Sequence, residues 1–175
     1  ESRNLKSLGN LSMRGNVRDR VATMLAFYAG HTYQYDDLAE ANEMPSPVLY
    51  SDYDFQIAHL TAIDRAIDSI TSLEAAKGVR FQTIMSLNFV NPFPWLMDRG
   101  APLHIAIGAD ATRAVPDPGP ETIKAVQDTD LVLYPRCPPT PANKSLYEIY
   151  APALAGHPRI KLDACFDAFV SPRLA

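Results

Sequence analysis

The chain has 175 residues, 47% of them hydrophobic and 21% charged, with a net charge of −4. These are globular proportions, which exclude a disordered segment and leave room for one domain with a real core. The acidic balance, with an isoelectric point near 5.5, argues against a nucleic-acid partner, because such binders carry a basic stripe against phosphates.

Residues 1–16 are sparse in apolar positions and read as an arm. The spacing of Val21, Leu25 and Tyr28 predicts a helix over 17–29, stopped by Gly30. A short acidic helix is expected at 36–42. Together, residues 1–46 read as a helical extension packed on or leading into a sheet domain at 47–175, the whole forming one α/β domain.

From residue 47 an alternation of strands and helices is expected. Strands are predicted at 48–50, 80–87, 103–107, 131–134 and 159–162. The helix between the first two carries Ile57, Leu60, Ile63, Ile67 and Ile70 on one face, with Asp54 as a cap and Gly78 near its end. Further helices are expected at 92–98, from Pro120, and at 143–155; a short tail follows the last strand. Five strands separated by helices imply parallel pairing with right-handed crossovers. The expected fold is a three-layer α/β domain: a five-stranded, mostly parallel sheet with helices on both faces, Rossmann-like but lacking the dinucleotide glycine fingerprint.

Open α/β sheets bind ligands beyond the carboxyl ends of their strands. The polar residues expected there are Asp52, Asp54, Asn88, Asn91, Asp110, Arg113, Arg136 and Asp163, and these form the candidate ligand site. Three of the loops concerned hold eight of the chain's fifteen prolines, which stiffen them. Arg113 and Arg136 can grip an anion or pair with nearby aspartates. Trp95, with Phe89 and Phe93 shortly before it, can stack on a sugar or plug the end of the sheet; the plug is the preferred expectation. His104 reads as a packed strand residue, and the four histidines do not gather at metal-ligand spacing. Cys137 and Cys165 are too few for a disulfide framework. They can pair or remain buried thiols, the second being preferred; a bridge would favour an extracytoplasmic setting.

Asp52-Tyr53-Asp54 resembles the Asp-x-Asp of metal-dependent glycosyltransferases and the paired aspartates of haloacid dehalogenase-like phosphotransferases, with Ser86 where a phosphate-contacting hydroxyl would sit. The late lysine and terminal acidic pair of the dehalogenase pattern are missing from their places. The bland alternative is that Asp54 caps the following helix and Asp52 shapes the turn. At Leu87-Asn88-Phe89-Val90-Asn91-Pro92-Phe93-Pro94, and at Asp128-Thr129-Asp130-Leu131-Val132-Leu133-Tyr134-Pro135, the chain resembles soluble domains of poorly characterised bacterial inner-membrane proteins, some linked to envelope glycan assembly. That resemblance covers roughly residues 47–170. It implies a soluble domain of a larger membrane protein, facing the periplasm, with the membrane part of its own polypeptide as a partner. The chain begins at Glu1, which fits a trimmed piece, and no apolar run reaches the roughly 20 residues of a membrane span.

The expected function is a ligand-binding or accessory domain of an envelope glycan protein, taking a small polar or sugar-like ligand at the loop rim. The alternative is a transferase or phosphohydrolase using Asp52, Asp54 and a divalent cation.

Overall fold

The computed structural model describes residues 3–6, 22, 25, 26, 29, 30, 52–103, 105, 118–137 and 140–175, the side chains of 52–56 excepted. Its elements are α1 (Asp52–Lys77), β1 (Ile84–Ser86), α2 (Phe93–Met97), α3 (Pro120–Gln127), β2 (Leu131–Pro135), α4 (Pro141–Leu154), β3 (Arg159–Lys161) and β4 (Phe166–Val170). The expected helix at 36–42 and strand at 48–50 lie outside the described residues. Ala22, Leu25, Ala26, Ala29 and Gly30 have helical backbone. Leu5 and Leu25 are buried in the same core cluster as α1.

α1 buries Ile57, Ala58, Ala62, Ile63, Ala66, Ile67 and Ile70, the stripe that three-to-four spacing produces. Leu60 packs on its margin. Gly78 ends the helix with φ of +65°. Its N–H donates to the Ala75 carbonyl at 3.4 Å, and the Val79 N–H to that of Glu74 at 3.1 Å. This is the Schellman arrangement, which glycine enters without a Cβ clash. The Glu74 carboxylate then accepts from the Phe81 amide at 2.7 Å and pairs with Arg99 at 3.1 Å, tying the helix end to the approach of β1. α4 starts on Thr140, whose hydroxyl accepts from the Asn143 amide at 3.2 Å while the Asn143 side chain accepts from the Thr140 amide at 3.1 Å. Such a reciprocal cap contributes about 1 kcal/mol.

The expectation of a five-stranded, mostly parallel sheet is overturned. Among the described residues the sheet has four strands in the order β1-β2-β4-β3. Only β1 and β2 are parallel, with Ile84 opposite Leu131; β2–β4 and β4–β3 are antiparallel. Two causes can be named. Four residues separate β3 from β4, enough for a hairpin and far too few for a parallel crossover. The presumed tail is itself β4, buried at all five positions, and it inserts between β2 and β3. The strand expected at 103–107 also fails where it can be seen: Leu103 lies in a turn and Ile105 in no strand. Gly100 instead forms an isolated bridge to Thr83.

Side chains alternate across the sheet. Ile84, Leu131, Leu133, Phe166, Ala168 and Val170 face α1 and α2. Met85, Leu87, Val132, Tyr134 and Phe169 face the side of α3 and α4. Asp130 locks the parallel pair at its entry: one carboxylate oxygen accepts from the Gln82 and Thr83 amides at 2.6 and 3.2 Å.

Two histidines make this core sensitive to acid. Burial lowers the proton affinity of His59. At His157 burial is again the larger effect and lowers it, while the carbonyls of Gln127 and Thr129 pull it up without closing a hydrogen bond to either ring nitrogen. Both histidines therefore bind protons more weakly folded than unfolded. Stability is full above the ordinary histidine value and falls as pH drops through that value toward the lowered folded ones. Denaturation midpoints between about pH 7.5 and 5.5 should fall with pH, and His157→Gln should flatten the slope. A pH-independent midpoint would contradict the assignment. Asp163 acts in the opposite sense at lower pH, since burial raises its affinity above the usual carboxylate range despite bonds from Cys165, Phe166 and Ser69 and the charge of Arg65.

Candidate functional site

β1, β2 and β3 all run in one direction, because β3 is antiparallel to β4 and β4 to β2. The residues that follow these three strands therefore reach one end of the sheet. Asn88, Arg136 and Asp163 are all brought there, yet each is engaged within its own surroundings. The Asn88 side-chain oxygen Oδ1 accepts from the Phe89 amide at 2.9 Å and from the Asn143 side chain at 3.3 Å. Asn91 is buried and donates to the Ile84 carbonyl at 2.9 Å. One Asp163 oxygen accepts from the Cys165 and Phe166 amides at 2.7 and 2.8 Å, closing the β3–β4 turn, and the other faces Ser69 on α1 at 3.4 Å. Arg136 points to the opposite face of the sheet, toward Asp167. Arg136 and Asp163 thus turn to opposite faces of the sheet. Asp110, Arg113 and His104 lie outside the described residues.

Asp52 and Asp54 belong to the first turn of α1. Their side chains lie outside the described part of the structure. Among the described residues no three His, Cys, Asp or Glu side chains gather as a metal-holding group.

Arg136 pairs with an aspartate, Asp167, that was not among the expected site residues. Asp167, from β4, accepts four hydrogen bonds on one oxygen: from Nε and Nη2 of Arg136 at 3.0 and 2.9 Å, and from Nε and Nη2 of Arg159 at 2.8 and 2.6 Å. The Arg159 guanidinium also lies 5.4, 5.8 and 5.4 Å from the ring centroids of Tyr134, Tyr147 and Phe169, within cation–π range. The register explains the gathering, since Tyr134 stands opposite Asp167 and Arg159 opposite Phe169.

Cys137 and Cys165 form a disulfide, which corrects the preference for buried thiols. The cause is again β4. Pro135 pairs with Phe166, and the Arg136 amide donates to the Cys165 carbonyl at 2.7 Å, so the ladder runs on to bring the two sulfurs together.

Trp95 does not plug the sheet. It is 54% exposed, and Phe89 and Val90 are similarly open at 49% and 50%. Phe93 takes the plugging role, fully buried and edge-on to Phe166 with centroids 5.8 Å apart. Lys6 lies 4.8 Å from the Trp95 ring centroid. The rim thus presents two aromatic rings and a valine beside the Asn88 amide. Among the described residues no helix is long and apolar enough to cross a membrane. No protein-family model matches the chain, and no curated protein or solved structure shows significant similarity to it.

Proposed function

We propose that this chain is an accessory, ligand-binding domain of a bacterial envelope protein concerned with glycan assembly, taking a small, sugar-like ligand at the loop rim after β1. The observation that carries the reading is the exposure of Phe89, Val90 and Trp95 next to Asn88. Large apolar side chains left open together on one rim mark a binding surface. An aromatic face suits the C–H face of a sugar ring, and an amide beside it suits a hydroxyl. The disulfide supports an oxidising compartment such as the periplasm, in keeping with the resemblance to inner-membrane proteins. The remainder of such a polypeptide would be its membrane-bound partner.

Trp95 is the chain's single tryptophan, so its fluorescence reports on the rim directly. Titration with neutral mono- and disaccharides and with sugar nucleotides should give a saturable change for at least one compound. Asn88→Ala should weaken that binding about tenfold, the loss of one hydrogen bond in a desolvated contact. Trp95→Ala, followed calorimetrically, should weaken it at least as much. A panel producing no saturable signal and no heat would end the reading.

A further inference from the structure

Beside the exposed ring of Trp95, the start of the chain delivers a pair of opposite charges. Leu5 is buried in the core. Asn4 is fastened to α1 by three hydrogen bonds, its amide donating to Asp64 Oδ1 at 2.8 Å and its side chain to the Asp64 carbonyl and to Asp68. Residue 6 is thereby brought against α2. The Lys6 ammonium donates to the Trp95 carbonyl and, at 3.0 Å, to Asp98 Oδ1, and it stands 4.8 Å from the centroid of the Trp95 ring.

Both members of this pair hold an uncommon backbone. Asp98 ends α2 with φ of 54°, its amide donating to the Pro94 carbonyl, and Lys6 has φ of 49°. Among the described residues these are the only non-glycine positions with positive φ, a conformation that costs roughly 1–2 kcal/mol where a Cβ is present. The pair gives little back in stability, since the two side chains are 35% and 84% exposed. Strained positions gathered around one exposed ring point to a use other than holding the fold.

Their bonding capacity is also incomplete. An ammonium has three donors and a carboxylate two acceptor oxygens. The Trp95 carbonyl and Asp98 occupy two of the Lys6 donors, and Lys6 occupies one Asp98 oxygen. The third N–H of Lys6 and Oδ2 of Asp98 meet no described partner. A donor and an acceptor thus stand side by side at an aromatic ring, and their charges cancel.

We propose that Lys6 and Asp98 form the polar border of the rim site and take two neighbouring hydroxyls of an uncharged sugar ring lying against Trp95, Lys6 donating to one and Asp98 Oδ2 accepting from the other. This rests on the sugar-binding reading above and narrows its ligand to a neutral glycoside, to the exclusion of sugar nucleotides and acidic sugars. A hydroxyl both donates and accepts, so a vicinal pair matches a donor set beside an acceptor. An anionic group on the ligand would be repelled by Asp98, and an ammonium by Lys6.

The probes are methyl glucoside, methyl mannoside and methyl galactoside, titrated into the whole chain and followed at the indole N–H resonance of its single tryptophan. At least one should shift that resonance saturably, and glucuronate and glucosamine should bind at least threefold more weakly than it does. Lys6→Met, which keeps the apolar stem, and Asp98→Asn, which suits left-handed backbone and sits at an exposed position, should each weaken the neutral glycoside about tenfold. Deoxy analogues of that glycoside lacking either hydroxyl of the pair should lose about as much on the wild type, and little more on the variant whose partner group is already gone. That loss of additivity separates direct contact from a merely structural effect, and Asp98→Asn keeps the test open if Lys6→Met loosens the arm. Unchanged affinity in both variants, or tighter binding of either charged sugar, would overturn the assignment and leave the Trp95 rim as a sugar site. No saturable shift with any of the sugars would end both.

Discussion

Asp167→Ala is expected to lower the stability of the chain by about 3 kcal/mol, the cost of breaking a buried ion pair from one side. The carboxylate lies on the central part of the sheet and accepts four hydrogen bonds from two guanidiniums. Its two partners do not stand to lose equally. The Arg136 side chain is 9% exposed and that of Arg159 is 38% exposed. Arg159 can turn its charge toward water, whereas Arg136 keeps its charge inside, so the cost concentrates at Arg136. Asp167→Asn, which retains an acceptor and loses the charge, should fall between the wild type and the alanine variant. Arg159→Met should cost less, about 1 kcal/mol, since it gives up a partly exposed pair and a cation–π contact while its stem still covers the rings. Chemical denaturation of the three variants checks the order. In a thermal scan the alanine variant should melt roughly 6–12 °C lower. If Asp167→Ala cost no more than Arg159→Met, the pair would be hydrated and the buried reading of Arg136 wrong. A double variant, Asp167→Ala with Arg136→Met, should recover part of the loss because the buried guanidinium that lost this carboxylate is then replaced by an apolar side chain.

That cluster also marks where the sequence stopped being readable. α1 was legible because Ile57, Leu60, Ile63, Ile67 and Ile70 recur at three-to-four spacing over about four turns and Gly78 closes the run. α3 was legible from Pro120 at its start, and α4 was expected from residue 143, two positions after its actual start at Pro141. β2 was legible as a short apolar run, as expected of a strand covered on both faces. β4 was not, because Asp167 interrupts its apolar residues and the segment lies near the chain's end, where a tail is the simpler reading. The groups that neutralise Asp167 stand 31 and 8 positions away, and no local pattern announces them. Once β4 was missed, the direction of β3 and the pairing of the cysteines could not follow. The candidate site fared similarly. Asn88, Arg136 and Asp163 were placed at the correct end, since β1, β2 and β3 share a direction. Their engagement by Asn143, Asp167 and the turn amides depends on tertiary neighbours. The prominence of Phe89 and Trp95 was equally hidden, because three phenylalanine and tryptophan residues in one stretch do not say which of them, here Phe93, fills the core.

Removing the Cys137–Cys165 bridge should cost a further 3 to 4 kcal/mol, roughly the closure entropy of a loop of this length. The two cysteines are 28 positions apart, and the loop they close contains all of α4 and β3. In the unfolded chain the bridge prevents those elements from exploring extended states, whereas in the folded chain it joins strands that hydrogen bonds already hold side by side. The Arg136 amide keeps its bond to the Cys165 carbonyl whether or not the sulfurs are joined. The double variant Cys137→Ala, Cys165→Ala should therefore retain its circular-dichroism spectrum and its tertiary fluorescence, while its denaturant midpoint falls. The wild type, reduced and confirmed by mass to have gained two hydrogens, should match the variant closely; both cysteines are buried, so reduction should be slow under native conditions and quick once the chain opens. An unchanged midpoint after confirmed reduction would show that the bridge does not constrain the unfolded chain. Collapse of the native spectrum would show instead that it holds the β2–β4 pair together. The rim at Trp95 lies on β1's loop and α2, outside the bridged loop, so ligand binding there should survive reduction wherever the fold does. Loss of binding in a still-folded reduced protein would place the ligand on the bridged loop, and so away from Trp95.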